Sequence, residues 1–171
     1  MENGKMVRTK MKKDMIFKER LSENQMTLKF SIPQVKAGTL IEYEYRLESD
    51  FFFTIDSWKA QSDIPILYTE YNVTIPEYFK FNIEMHGAEK LETVNENASL
   101  NLSIGSQLLR CSGTHLNFQG NQLPALKDDS HVWCADDYCT QVNLELQGID
   151  FPGSLYKSFT QSWEQIDETL L

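Results

Sequence analysis

No stretch of this sequence strings together the roughly 18–20 apolar residues of a membrane-spanning helix, which excludes a helical span. An apolar h-region is also missing behind the N-terminal charges, so no signal peptide is read there. Positive charge is scarce: 16 Lys and Arg face 25 Asp and Glu, for a formal net charge of −9. Phosphate binding needs a concentration of basic side chains, so this balance argues against a nucleic-acid partner. Three cysteines (Cys111, Cys134 and Cys139) are too few for a disulfide scaffold, and their odd number leaves at least one thiol unpaired. Helical periodicity is absent until the last ten residues, and with it the strand–helix alternation that builds a parallel α/β sheet.

What the chain does have is aromatic bulk and period-two alternation. Ten Phe, seven Tyr and three Trp among 171 residues favour strands and large buried side chains. In residues 26–32, Met26, Leu28, Phe30 and Ile32 share one face and Thr27, Lys29 and Ser31 the other, the pattern of a half-buried strand. Ile41, Tyr43, Tyr45 and Leu47 alternate with Glu42, Glu44, Arg46 and Glu48. These two segments, separated by Pro33 and an Ala37-Gly38 turn, are expected to pair antiparallel. Further strands are expected over 67–75, with Leu67, Tyr71, Val73 and Ile75 on one face and Tyr68 on the other, and over 79–85, carried by Phe79, Phe81, Ile83 and Met85. Weaker alternation of Leu100, Leu102 and Ile104 marks 100–104, and Tyr138, Thr140, Val142, Leu144 and Leu146 mark 138–146, opposite Cys139 on the polar side.

The first 20 residues carry seven basic against three acidic side chains, a balance of +4, which leaves −13 on the remaining 151. Val7, Met11, Met15, Ile16 and Phe17 are interspersed with those charges, as in an edge strand protected by lysines. The polar stretch from Ala88 to Asn121 is expected to hold loops. Ser162 and Gln165 form a capping box ahead of Trp163, Ile166 and Leu170, so a helix opens near the C-terminus and reaches Leu171 without a stop signal. The expected architecture is all-β: an antiparallel β-sandwich over residues 1–160, then the start of a helix over 161–171 leading towards a further domain.

Residue types capable of chemistry occur without the spacing that chemistry needs. Cys111, Cys134 and Cys139 with His86, His115 and His131 could supply a thiolate and a base, yet none of the cysteines precedes a helical pattern whose N-terminus would activate it. His131, Cys134 and Cys139 spell H-x2-C-x4-C, one ligand short of a structural zinc set, with His115 as the remaining candidate. A Cys134–Cys139 disulfide across Ala135-Asp136-Asp137 is the alternative in an oxidising compartment. Asp128-Asp129 and Asp136-Asp137 lack the alternating ligands and turn glycine of a calcium loop. Catalytic, cofactor-binding and metal-binding residues are therefore expected to be none. Tyr68 and Trp58 are the candidates for an aromatic platform holding a sugar or peptide, weighed against a place in the core. Asn72, Asn97 and Asn101 open N-x-[ST] sequons, which carry meaning only in a eukaryotic secretory context.

Several phrases are familiar as an ordered set. Gly4-Lys5 precedes a lysine-rich segment, succeeded by Phe30-Ser31-Ile32-Pro33-Gln34-Val35-Lys36-Ala37-Gly38 and Ile41-Glu42-Tyr43-Glu44-Tyr45. Then come Ile64-Pro65-Ile66-Leu67-Tyr68-Thr69-Glu70-Tyr71, Val73-Thr74-Ile75-Pro76-Glu77-Tyr78-Phe79, Leu123-Pro124-Ala125-Leu126-Lys127-Asp128-Asp129, Asp137-Tyr138, Phe151-Pro152-Gly153 and Ser162-Trp163-Glu164. Together they resemble the bacterial domain-of-unknown-function family found immediately upstream of transglutaminase-like (papain-like) domains. The resemblance spans nearly the whole chain. It implies a β-sandwich module of secreted or periplasmic proteins with no catalytic residue of its own. Its partner would be the adjacent transglutaminase-like domain, and through it a protein or glycan substrate, with the Cys-His-Asp machinery beyond Leu171. The resemblance further implies strands ahead of Met1, a sandwich incomplete at its N-terminus and an unpaired edge between residues 5 and 32. Asp129 stands where the family usually carries Glu, and Cys134 and Cys139 look peculiar to this sequence. A stand-alone glycan- or peptide-binding sandwich is the alternative expectation.

Overall fold

A computed structural model describes residues 7–23, 26–47, 55–104, 107–127 and 133–159. Its long elements are all strands, and every strand pair is antiparallel. The chain falls into two compact units, Met1–Glu48 and Ser49–Leu171.

In the first unit a short 3-10 turn (Lys13–Met15) leads into β1 (Ile16–Arg20), which pairs with β2 (Met26–Phe30) in the register Ile16↔Phe30 to Arg20↔Met26. An ion pair between Lys29 and Glu19 ties the two strands across the ladder. β2 thus pairs with the segment before it, and residues 41–47 form no strand, contrary to the alternation of Ile41, Tyr43, Tyr45 and Leu47. Tyr43, Tyr45 and Leu47 are 69–74% exposed, but Met26 and Leu28 of β2 are exposed as well, so what separates the two segments is pairing: β2 has β1 as a ladder partner, and 41–47 has none among the described residues. Among the described residues β1 and β2 form a two-stranded sheet, so each has one open side, within the stretch where an unpaired edge is expected.

The second unit is a two-layer sandwich. One sheet has the order β3 (Trp58–Lys59), β8 (Gln141–Ile149), β5 (Phe79–His86), with β9 (Lys157–Ser158) also on β8; the other has the order β4 (Ile66–Pro76), β7 (Gln107–Leu123), β6 (Glu92–Ile104). The layers meet where Leu116 and Phe118 of β7 pack with Val142 and Leu144 of β8, surrounded by Ile55, Trp58, Tyr71, Val73, Ile75, Phe81 and Leu91. Trp58 stacks on Tyr71 and Tyr71 on Phe118, with centroids 5.4 and 6.1 Å apart, so Trp58 belongs to the core and not to a surface platform.

The expected strands at 67–75 and 79–85 are β4 and β5. The expected strand at 138–146 instead begins at Gln141, after a 3-10 turn over Ala135–Tyr138, and runs on to Ile149. The strand expected over 100–104 is the end of β6, but the expectation of loops over the rest of 88–121 is overturned: this polar stretch holds most of β6 and β7, the two longest strands, paired without a break from Glu92↔Gln119 to Ile104↔Gln107. Its pattern misleads because the apolar side changes face midway. Leu116 and Phe118 point into the sandwich, so Asn117, His115 and, by alternation, Cys111 and Leu109 lie on the opposite face, together with their partners Leu100 and Leu102. The change falls at the Ala98↔Gly113 pair. A Cβ on Gly113 would sit 2.6 Å from the Ile75 carbonyl oxygen and 2.7 Å from Leu100 Cδ2, so only glycine fits this crossing. The C-terminal helix expected over 161–171, like Phe51–Phe53, Asp128-Asp129 and His131, lies outside the described residues.

A buried polar knot ties the loops to the sandwich. The Thr140 N–H donates to Gln61 Oε1 (2.9 Å), its carbonyl accepts from the Ala60 N–H (2.8 Å), and its hydroxyl accepts from the Glu89 N–H (3.1 Å). Gln61 Nε2 in turn donates to the Pro124 carbonyl (3.1 Å). Gly87 turns the chain beside this knot at φ +106°, where a Cβ would collide with the Thr140 backbone. Phe118→Ala is expected to cost about 3–5 kcal/mol, and Gly87→Ala about 2–4 kcal/mol through strain and collision. Leu155→Ala, at a site almost fully exposed, should cost under about 0.5 kcal/mol. Urea unfolding checks the order, and a Gly87→Ala chain as stable as its parent contradicts the knot.

Candidate functional site

Because Tyr71, Val73 and Ile75 of β4 and Leu116 and Phe118 of β7 point inward, their alternate neighbours share the outer face of the three-stranded sheet. That face holds Tyr68, Glu70, Asn72 and Thr74 from β4, His115, Asn117 and Gln119 from β7, and Glu92, Val94 and Glu96 from β6. Glu70 organises it. One carboxylate oxygen accepts from the Tyr68 hydroxyl (2.5 Å); the other accepts from the amides of Asn72 and Asn117 (both 2.6 Å). The Asn117 amide also reaches Asn72 Oδ1 (2.7 Å), and Gln119 donates to Asn117 Oδ1 (2.6 Å). Asn117 ends up 8% exposed on a face that looks to solvent, roofed by its own hydrogen-bond partners. Thr74 and His115 pair through Oγ1 and Nδ1 at 3.0 Å.

The donors converging on Glu70, Tyr68 first and then Asn72, hold its carboxyl below the usual range, and the same bond to Glu70 raises the Tyr68 phenol. This arrangement is a flat, pre-oriented row of carboxylate, amide and phenol groups. It can hydrogen-bond a polar surface laid against it. It places no thiol beside a base.

Among the described residues, Cys111 and His115 lie four positions apart on β7, His86 lies on β5, and Cys134 and Cys139 flank the 3-10 turn Ala135–Tyr138. Cys111 is buried on β7, and burial pushes its thiol up, away from the thiolate that nucleophilic catalysis requires. Cys139 is 1% exposed, not on a polar strand face as its alternation suggests, and its thiol points at the Gln61 and Thr140 carbonyls. Cys134 is exposed, and all three thiols are free, so Cys134 and Cys139 form no bridge. His86 sits 3.3 Å from Glu84 on the sheet opposite His115. Among the described residues no three metal-ligating side chains come together; Asp136 is engaged by Lys59 at 2.8 Å. An open cleft of about 590 Å³ lies beside this pair, between Gln61, Asp63 and Lys127.

Of the aromatic candidates only Tyr68 belongs to the row, and Asn72, whose signal in the sequence is a sequon, joins it as a hydrogen-bond donor. Glu70, Asn117 and Gln119 emerge from the structure alone, although alternation of polar residues opposite Tyr71 and Val73, and opposite Leu116 and Phe118, carries the signal. No family model, curated protein or solved structure matches the chain.

Cysteine burial and the Glu70 row can each be measured. Thiol titration of the folded chain should label Cys134 alone, with Cys111 and Cys139 reacting only after denaturation; a second fast thiol contradicts their burial. Because the Glu70 pKa is lowered on folding, its contribution is complete above the ordinary carboxylate pKa and is lost as pH falls through the lowered value. Glu70→Gln should therefore cost about 0.5 kcal/mol at neutral pH, discounted for solvent exposure, and the cost should vanish in acid. A deficit of Glu70→Gln that grows on acidification would contradict the row.

Proposed function

We propose that this chain is a non-catalytic β-sandwich accessory module that works beside a transglutaminase-like domain and helps to present its substrate. The observation that carries the reading is where the polar machinery lies. It occupies a flat, internally hydrogen-bonded sheet face, a surface suited to holding a macromolecule in place, whereas Cys111 and Cys139 are buried in the fold. The ordered phrases behind the resemblance support it further. Ile64–Tyr71 feeds and forms β4, Val73–Phe79 forms the β4–β5 turn, and Asp137-Tyr138 leads into β8, so these three phrases fall in the sandwich. Periplasmic or extracellular placement belongs to the same reading.

A second reading, a stand-alone glycan-binding module, is favoured by the Tyr68–Glu70–Asn72–Asn117 row, whose amide and carboxylate groups match the donors and acceptors of sugar hydroxyls. The decisive experiment is to read the coding sequence past Leu171, to express the chain with and without the downstream segment, and to assay the isolated chain on a glycan array. A downstream transglutaminase-like domain whose KM for protein substrate rises when this chain is removed, with a blank array, is the expected outcome. No such domain in the same or the neighbouring reading frame contradicts the proposal, and a glycan signal lost in Glu70→Ala establishes the second reading in its place.

A further inference from the structure

β6 ends its sheet, and the hydrogen bonds at its neighbour reveal which of its backbone groups face outward. The Ser112 N–H donates to Glu77 Oε1 (2.9 Å) and the Ser112 carbonyl accepts from the Glu77 N–H (3.0 Å), both on the β4 side of β7. The backbone groups of Ser112 therefore point away from β6, and Ser99, its partner, occupies a non-hydrogen-bonded position whose N–H and C=O point away from β7. Alternation extends this outward set to Thr93, Asn95, Asn97, Asn101 and Ser103, six residues with unpaired ladder groups among the described residues.

Other edges of the sandwich carry protection that β6 lacks. β4 ends in Pro76, and β5 has Lys80 at a register shift. Across its thirteen residues β6 contains no Lys, Arg or Pro and no bulge. A long edge with no base, proline or bulge, whose only charges are acidic, is a template for adding a strand that brings the opposite charge.

The side chains say what kind of strand fits. Glu92, Val94 and Glu96 share the outer face, reading acid, apolar, acid, with the Cα atoms of the two glutamates roughly 13–14 Å apart along the strand. Neither glutamate makes an ion pair among the described residues. We propose that the β6 edge is a docking site for an extended peptide strand that carries basic residues at i and i+4 with an apolar residue at i+2. The incoming backbone continues the ladder at the outward groups of Thr93 to Ser99, and its basic side chains lie beside Glu92 and Glu96. A second copy of this chain is the poorer occupant, because its own β6 brings two glutamates and no base to the junction. The inference rests on the open edge alone, so it stands or falls separately from the role beside an enzyme domain.

The test uses the full chain and a fluorescent peptide, Thr-Lys-Thr-Val-Thr-Lys-Thr, monitored by anisotropy. Saturable binding is expected, weakened at least tenfold when both peptide lysines become glutamate, and likewise in Glu92→Lys/Glu96→Lys. Asn97→Pro removes an outward N–H without touching the β6–β7 hydrogen bonds and should also weaken binding at least tenfold; circular dichroism and the urea midpoint confirm that it folds. Absence of binding, equal binding by a folded Asn97→Pro chain, or indifference to the peptide's charge overturns the proposal. So does a concentration-dependent dimer of the parent chain that Asn97→Pro converts to monomer, since a second copy would then occupy the edge.

Discussion

The seam between Leu116 and Phe118 of β7 and Val142 and Leu144 of β8 is the contact on which the sandwich depends. β7 lies at the centre of one sheet and β8 is the strand to which β3, β5 and β9 all pair in the other, so the remaining strands are attached through these two. Phe118 and Val142 are essentially fully buried, and each such side chain contributes about 1.5–3 kcal/mol relative to exposure. Backbone pairing then propagates the order outward. Strand periodicity does the rest: once Leu116 and Phe118 are committed inward, His115, Asn117 and Gln119 have no choice but the outer face. The hydrogen-bonded row centred on Glu70 is thus a consequence of core packing as much as of its own bonds.

That same periodicity decides how much of the fold is legible in the sequence. Strands β4, β5 and β8 can be read because their alternation coincides with a covered face, and Tyr68 falls on the correct side of β4 for the same reason. The stretch 41–47 alternates equally well, yet it joins no ladder among the described residues, whereas the likewise exposed β2 is paired by β1. β7 and the first half of β6 escape because their apolar side crosses the sheet at Ala98 and Gly113, and only the far end of β6, the strand expected over 100–104, is legible. The Glu70 row escapes for a different reason. Asn, Gln, Thr and Glu on alternate positions describe any solvated sheet face, and only the register Glu70↔Gln119 and Asn72↔Asn117 shows that they reach one another.

The cysteines illustrate how position overrides composition. Three thiols and three histidines invite a catalytic or metal reading, but Cys111 lies at the crossing of the β6–β7 hairpin, Cys139 lies against the Gln61–Thr140 knot, and burial raises the Cys111 thiol. Among the described residues, the second unit presents a hydrogen-bonding face and, along β6, a ladder left open. Both are means of contact.

The register of β6 on β7 underlies both the outer face and the open edge, and residue-resolved amide hydrogen exchange on the free monomeric chain tests it most directly. Val94, Glu96, Ala98 and Leu100, whose N–H groups face β7, should exchange slowly, while Thr93, Asn95, Asn97, Ser99 and Asn101 between them exchange at near-unprotected rates. Uniform protection along 93–101, or uniform lack of it, would contradict the account.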